Sequence, residues 1–405
     1  MAGKFNPFRP DKMVPPGLFA GRLEEIEYTE SCMLQTKHEN PKHFMFVGER
    51  GIGKSSLILF DQYLGEGLVE AKGGHKYNFI VLNVSLRRED DFLAIIDRIA
   101  NALKKQIEKH DVFGTFVLKT IEILTRFEAA GVRYNHQVTT KNEAFLSLQD
   151  DLENAFIKMA DAFDGILLLI DEADAPDSSA DLGLICKLLT EEMSKRQTDR
   201  LCIGLAGLPT LPIKLRESHE SSLRLFQIMN LETLESGERE MVIQMGLNSA
   251  NKKNEAPIGI TPEAEILIST YSEGYPHFLQ EFAFCAFEED SDNMIDKDDF
   301  FKSLFRENGA FDQLGAKYFD RDYATPGSDD YREVLKCMSD GYDGWITRGD
   351  IIVKTELKAS TVDNALRALK KQGLIIQDDR RSGHYRLPTR SFAAWINIKK
   401  KAEFA

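Results

Sequence analysis

The sequence predicts an α/β fold. A parallel sheet covered by helices comes first, then an all-helical segment, then a C-terminal module of helices and paired strands. Three observations carry this. Short apolar runs alternate with helix-spaced segments as far as about Leu234, and such alternation implies crossover connections between parallel strands. Gly165-Ile-Leu-Leu-Leu-Ile-Asp171 is apolar until its final carboxylate, as a strand buried on both faces is. Beyond Leu234 the strand signals stop, and helical patterns run to about Asn308.

Taken in order, His43–Val47 is the first strand, and a Gly-rich loop and an amphipathic helix follow it. Phe79–Val84 is the second strand. A helix from about Asp91 to Ile107 places Phe92, Ile95, Ile96 and Ile99 at helical spacing. Phe113–Phe127 predicts another helix, and Gly131–Val138 a hairpin or loop. Thr140-Lys-Asn-Glu143 has the form of a capping box, opening a helix with Leu148, Leu152, Phe156 and Met159 on one face. Strand 165–171, a helix over Leu182–Lys195 and a buried strand over Leu201–Gly207 complete the sheet. The helical segment breaks at Gly274-Tyr-Pro276. Asp322–Asp330, with Pro326, Gly327 and Ser328, predicts a linker or turn.

A chain of 405 residues is long enough for two or three domains. We find no apolar run long enough to span a membrane, and the N-terminus lacks the apolar core of a signal peptide. The five cysteines are scattered and form no ligand spacing, so reduced thiols in a cytoplasmic protein are expected. The net charge of −14 conceals an asymmetry. Tyr331–Ala405 holds 15 Lys and Arg against 9 Asp and Glu, a net +6, while the rest carries 36 against 56, a net −20. A basic module on an acidic body is the pattern of a localised polyanion site. Lys399, Lys400 and Lys401 alone supply half of that excess.

Gly48-Glu49-Arg50-Gly51-Ile52-Gly53-Lys54-Ser55 fits the phosphate-binding pattern Gly-x4-Gly-Lys-Ser/Thr in full, and Ser56 follows it. Its glycines let backbone N–H groups curl around phosphate oxygens, and the helix N-terminus adds positive partial charge. Lys54 is expected to reach the β- and γ-phosphates, and the Ser55 hydroxyl to ligate Mg²⁺. Asp171 ends a buried strand, where a carboxylate would hold Mg²⁺ through water. Glu172 is then the expected general base for hydrolysis.

Together these residues resemble the AAA+ P-loop ATPases, and more narrowly the origin-recognition and cell-division-control group; the resemblance covers most of the chain. It implies a nucleotide-binding core over residues 1–234, a helical lid over 235–308 and a winged helix over 309–405. Asn6-Pro-Phe and Phe19-Ala-Gly21-Arg22 resemble the N-terminal box that would lie against the adenine. Asn83 matches the polar residue that can hold the catalytic glutamate inactive. Ser222-Leu-Arg224-Leu-Phe resembles the arginine-finger segment, making Arg224 a residue acting in trans; Arg196 and Arg200 are rivals. Two positions depart from the pattern. The sensor strand ends Ala206-Gly-Leu-Pro209, with only Thr210 nearby. The lid carries His277 after Gly274-Tyr-Pro276 in place of a sensor arginine, and neutral imidazole is the weaker phosphate ligand. A slow ATPase acting as a switch is therefore expected.

The acidic stretch Glu288–Asp299 fails the calcium-loop template, because Ile295 and Phe301 stand where Gly and Glu are required. A solvated loop with Asp296 capping the next helix is expected. In the C-terminal module, Thr347 and Ser360 are the expected caps of the second and third helices. Val362, Ala365, Leu366 and Leu369 form the apolar stripe of the third, and Gly373 ends it. Leu374–Gln377 and His384–Leu387 would be wing strands. Double-stranded DNA would then meet Asn364, Arg367 and Lys371 on the helix and Arg380, Arg381 and Arg386 on the wing. Asp363, Asp378 and Asp379 oppose this. The alternative is a signalling or defence-type ATPase whose winged helix docks a protein partner. ATP or ADP with Mg²⁺, self-assembly or a protein partner, and no membrane complete the expectation.

Overall fold

A computed structural model describes residues 4–16, 19–110, 120–122, 138–159, 161–324, 328–341, 344–378 and 381–403. The hairpin or loop expected at 131–138 lies almost wholly outside these, as does the helix expected at 113–127 apart from helical residues 120–122. The chain divides into two compact units, Met13–Glu232 and Met1–Lys12 with Thr233–Ala405.

The first unit is a parallel sheet with helices. Helix α1 (Leu23–Lys37) leads to β1 (His43–Val47), α2 (Lys54–Gly65), β2 (Phe79–Ser85), α3 (Phe92–Lys109), α4 (Val138–Met159), β3 (Gly165–Asp171), α5 (Leu182–Lys195), β4 (Leu201–Gly207), α6 (Leu211–Ser218) and β5 (Phe226–Asn230). The strand order is β2-β3-β4-β1-β5 and every pairing is parallel. β1 and β4 are buried along their whole length, and β3 until Asp171. That burial is why they are near-continuous apolar runs. Helix α3 buries Ile95, Ile96, Ile99 and Leu103 in the core cluster that also holds Ile80, Leu82, Ile166, Leu168 and Ile170. Asp91 caps α3 by accepting from the Ala94 N–H at 2.9 Å.

Two expectations need amendment here. Helix α4 already includes residue 138, so Thr140 lies inside it and does not open it. The edge strand β5 was not foreseen. It is short and only half covered, so it lacks the buried run that marks β1, β3 and β4.

The second unit is mostly helical: α7 (Ser236–Asn251), α8 (Pro262–Ser272), α9 (Pro276–Glu289), α10 (Lys297–Phe305), α11 (Ala310–Leu314) and α12 (Asp320–Ala324), with a π-helical turn over Gly315–Phe319. Strand signals do not stop entirely at Leu234. β6 (Gly259–Ile260) and β7 (Met294–Ile295) form a parallel pair, too short for any periodicity to reveal. Gly274, at φ 78°, separates α8 from α9 as expected. Asp296 caps α10 through the N–H groups of Asp298 and Asp299, at 2.8 and 3.0 Å.

The C-terminal part of this unit has α13 (Asp329–Ser339), β8 (Ile346–Thr347), α14 (Arg348–Thr355), α15 (Ala359–Lys371), β9 (Ile376–Gln377), β10 (His384–Arg386) and α16 (Arg390–Glu403). The strands form an antiparallel sheet in the order β8-β10-β9. Thr347 caps α14 through the Asp350 N–H at 3.1 Å. Ser360 is not a cap: α15 starts one residue earlier, behind Lys358, whose carbonyl already takes the Thr361 N–H. Val362, Ala365, Leu366 and Leu369 are buried, and Gly373 closes the helix at φ 75°. Ser391 ties α16 to α8 through the carbonyl of Tyr271 and the carboxylate of Glu273. All five cysteines are buried free thiols. No helix among the described residues is long and apolar enough to cross a membrane.

Candidate nucleotide site

β1 ends at Val47, and the chain turns through Gly48–Gly53 into α2. Gly51 and Gly53 have φ of 80° and 99°, where a side chain is strained. Gly48 is held by space instead: a Cβ there would lie 2.9 Å from Ile52 Cγ2 and 3.2 Å from the Leu231 carbonyl oxygen. The loop is tied to its neighbours. Gly48 N–H donates to Gly207 O at 3.2 Å and Leu231 N–H to Val47 O at 2.7 Å. Arg22 donates to Ile52 O at 3.1 Å and to the carbonyl of Glu232. Gly53 offers no side-chain cap to α2, so the positive end of the helix faces the loop.

Lys54 donates to the carbonyl oxygens of Gly48 and Glu49, both at 2.8 Å. Burial lowers its pKa, while Glu172, Asp171, Asp174 and Glu49 pull it up. Asp171 is the last residue of β3, in register with Ser85 of β2. Its Oδ1 accepts the Glu172 N–H at 2.9 Å. Glu172 is non-glycine at φ 53°, a left-handed turn that redirects its side chain from the strand. Burial raises the Glu172 pKa, helped by repulsion from Asp171 and Asp174 and opposed by Lys54 and Arg50. An elevated carboxylate beside a carboxylate pair and a lysine is the electrostatic setting of a general base.

Asp174 was missed in the sequence, although Asp171-Glu-Ala-Asp174 advertises it. It is buried, and its Oδ1 accepts the Leu208 N–H at 2.8 Å. Its carbonyl and that of Pro176 accept from Lys214 Nζ at 2.6 and 2.8 Å. Asp174 thus braces the loop after β3 against the loop after β4. This explains the glycine that ends β4, since a Cβ on Gly207 would lie 2.8 Å from Asp174 Oδ1. Thr210 is exposed ahead of α6.

The other expected residues are placed as follows. Ser55 opens α2 beside Lys54, and Ser56 Oγ accepts the Val14 N–H at 3.2 Å. Phe19 packs on Phe60 of α2, with ring centroids 5.6 Å apart. Arg22 holds the P loop from behind through carbonyls. Asn83 donates to Gln62 Oε1 at 2.8 Å and sits two residues short of the rung that pairs Ser85 with Asp171. Arg224 is exposed on a 3-10 turn just before β5, whose first residue pairs with His43. It therefore lies at the opposite end of the sheet from the P loop. Arg196 is engaged by Asp150 and Glu153, and Arg200 by Glu39 at 2.9 Å, whereas no ion pair engages Arg224 among the described residues. In the second unit, Pro276 and His277 open α9; His277 Nε2 lies 3.9 Å from Glu281 Oε2, and its ring packs on Tyr318 at 5.0 Å.

The backbone as a whole is similar to those of solved structures. The ORC2 protein of Aeropyrum pernix, solved as ADPNP–ADP complexes, superposes with a TM-score of 0.58 at 15% identity, covering 99% of this chain and all of that one. A Walker-type ATPase of Pyrococcus abyssi gives 0.54 at 16% identity, covering 94% and 96%. The fold is that of these two structures. No family profile matches the sequence, and no curated protein does. At such identity the likeness concerns backbone architecture.

The C-terminal module presents a second surface. Asn364, Arg367 and Lys371 are exposed on α15, away from its buried stripe. Asp363 is taken up by Arg348 through two hydrogen bonds of 2.6 and 2.9 Å. Arg381 donates to Asp378 Oδ2 at 2.7 Å. Arg380 and Asp379 lie outside the described residues. Two of the three carboxylates that weighed against a polyanion are thus partnered by arginines.

Proposed function

We propose that this chain is an ATP-dependent switch that binds nucleotide at the loop Gly48–Ser55, hydrolyses it slowly, assembles through that site and binds double-stranded DNA through its C-terminal module. The observation that carries the reading is the Lys54 ammonium folded onto its own loop, beside Asp171, Glu172 and Asp174. The residues fit a Mg²⁺-nucleotide. Gly51 and Gly53 turn the loop through left-handed backbone, the α2 N-terminus lacks a side-chain cap, and a hydroxyl and a carboxylate stand ready as hard oxygen donors. Ser55 would ligate the Mg²⁺ and Asp171 would hold it through water. Bound there, the metal ion would neutralise charge on the phosphates. Lys54 would exchange two carbonyls for phosphate oxygens, and Glu172 would take the proton of the attacking water.

Arg224 is exposed at the far end of its own sheet from the loop, a position that suits action on a neighbouring copy. His277 in place of a permanently charged arginine supports slow turnover. The division into core, lid and winged helix at residues 234 and 308 is part of the proposal. The +6 module, its three exposed helix side chains and its arginine-bearing hairpin support duplex DNA as the partner.

The test is size-exclusion chromatography with light scattering, without and with ATP, in the presence and absence of a duplex at low salt. Assembly with ATP and co-elution with DNA are expected. ATP-driven assembly that ignores DNA would remove the DNA half of the reading; no response to ATP would remove the switch.

A further inference from the structure

Trp345 is one of two tryptophans in the chain and is 40% exposed, whereas Trp395 is buried at 3%. An exposed tryptophan has no role in packing a core and asks for a surface role. It stands immediately before β8, whose Ile346 pairs with Tyr385 of β10. Two guanidinium groups lie on its ring: Arg386 at 5.3 Å from the centroid and Arg381 at 5.9 Å. The Nε of Arg381 is committed to Asp378, leaving its terminal nitrogens for a further acceptor. The Nε of Arg386 is buried without an acceptor among the described residues. Beside this cluster the hairpin exposes Ile376.

We infer that Trp345 is a positioning residue for nucleic acid: its indole holds Arg381 and Arg386 in place to grip consecutive phosphates of a DNA duplex, with the ring edge against the sugar. This rests on the DNA reading above. A cation–π contact with indole uses none of a guanidinium's N–H donors, so it orders the side chain while leaving those donors for a ligand. Ordering two long side chains before the ligand arrives removes an entropy cost from binding. A tryptophan beside arginines would also suit a protein interface. Charge decides between them, because the module is positive on a chain that is negative elsewhere.

The experiment is titration of the full chain with a short mixed-sequence duplex across a salt series, using wild type, Trp345→Ala and Trp345→Phe. Trp345→Ala is expected to bind about ten-fold more weakly, with a shallower salt dependence as one or two phosphate contacts loosen. Trp345→Phe should restore binding to within about three-fold. Wild-type tryptophan emission should change along the binding curve, and that change should vanish in Trp345→Phe, where buried Trp395 remains. Unaltered affinity and salt slope in Trp345→Ala, or silent emission while duplex is bound, overturns the inference and leaves the DNA reading intact. Wild type that binds no duplex at low salt, with or without ATP, defeats that reading and the inference with it.

Discussion

The Lys54 ammonium lies 2.8 Å from the carbonyl oxygen of Gly48, the first glycine of the same loop. A second bond of equal length to Glu49 completes a closed ring of loop and side chain. The lysine that would meet phosphate is thus already in the loop, held by neutral acceptors that a charged oxygen can displace.

Replacing it separates binding from folding. Lys54→Ala should retain the fold and melt within a few degrees of wild type, because the ring it closes is small and local to the loop after β1. The rise in melting temperature that ATP causes in wild type should disappear. A thermal melt with and without saturating ATP checks this; at about 100-fold excess over Kd, the wild-type gain is about 2.7 kcal/mol. An unchanged ATP response in the variant would displace Lys54 from the site.

Glu172 should govern turnover and not binding. Glu172→Gln removes the base but keeps shape, so hydrolysis should fall about 10² to 10⁴-fold while ATP affinity stays within a few-fold. Because burial and the Asp171 and Asp174 charges raise its pKa, the active carboxylate form is lost earlier on acidification than for an ordinary glutamate. The wild-type rate should therefore rise with pH through a window above the usual carboxylate range. Phosphate release measured against pH for both proteins tests the assignment.

His43 sets an acid limit on the sheet. It begins β1, is buried, and its Nδ1 accepts the Ile203 N–H at 3.1 Å, which requires the neutral ring. Burial pushes its pKa down to about 4, against an ordinary value of 6.5. Between these values the unfolded chain binds a proton that the folded chain does not. Stability from this residue is full above about 6.5 and falls with pH to about 4, by roughly 3 kcal/mol. Urea unfolding over that range should show the loss in wild type, and His43→Gln should flatten it by up to one proton.

Arg224→Ala should leave ATP affinity unchanged at low protein concentration, since the side chain is at the far end of its own sheet from the P loop. Hydrolysis per subunit should rise with protein concentration in wild type and stay flat in the variant, by a factor of about 10³ where the site is saturated by neighbours. A concentration-independent wild-type rate would dismiss a role in trans.

The α/β class, the glycine loop Gly48–Ser55, the strand-end pair Asp171 and Glu172, and the helix stripe Val362–Leu369 were legible in the sequence alone. Each is a local pattern: glycine spacing, an unbroken apolar run, a 3.6-residue period. Tertiary structure alone decided the rest. β5 has no pattern of its own because an edge strand is half exposed, and its place beside β1 sends Arg224 to the far end of the sheet. Asp174 acquires its part from Leu208, 34 residues away, and Asn83 is engaged by Gln62 on another element. Trp345 meets Arg381 and Arg386 only because β8 and β10 pair. Periodicity records which face of an element is covered; which distant side chain covers it depends on strand order and register, and those arise from long-range packing that no window of sequence contains.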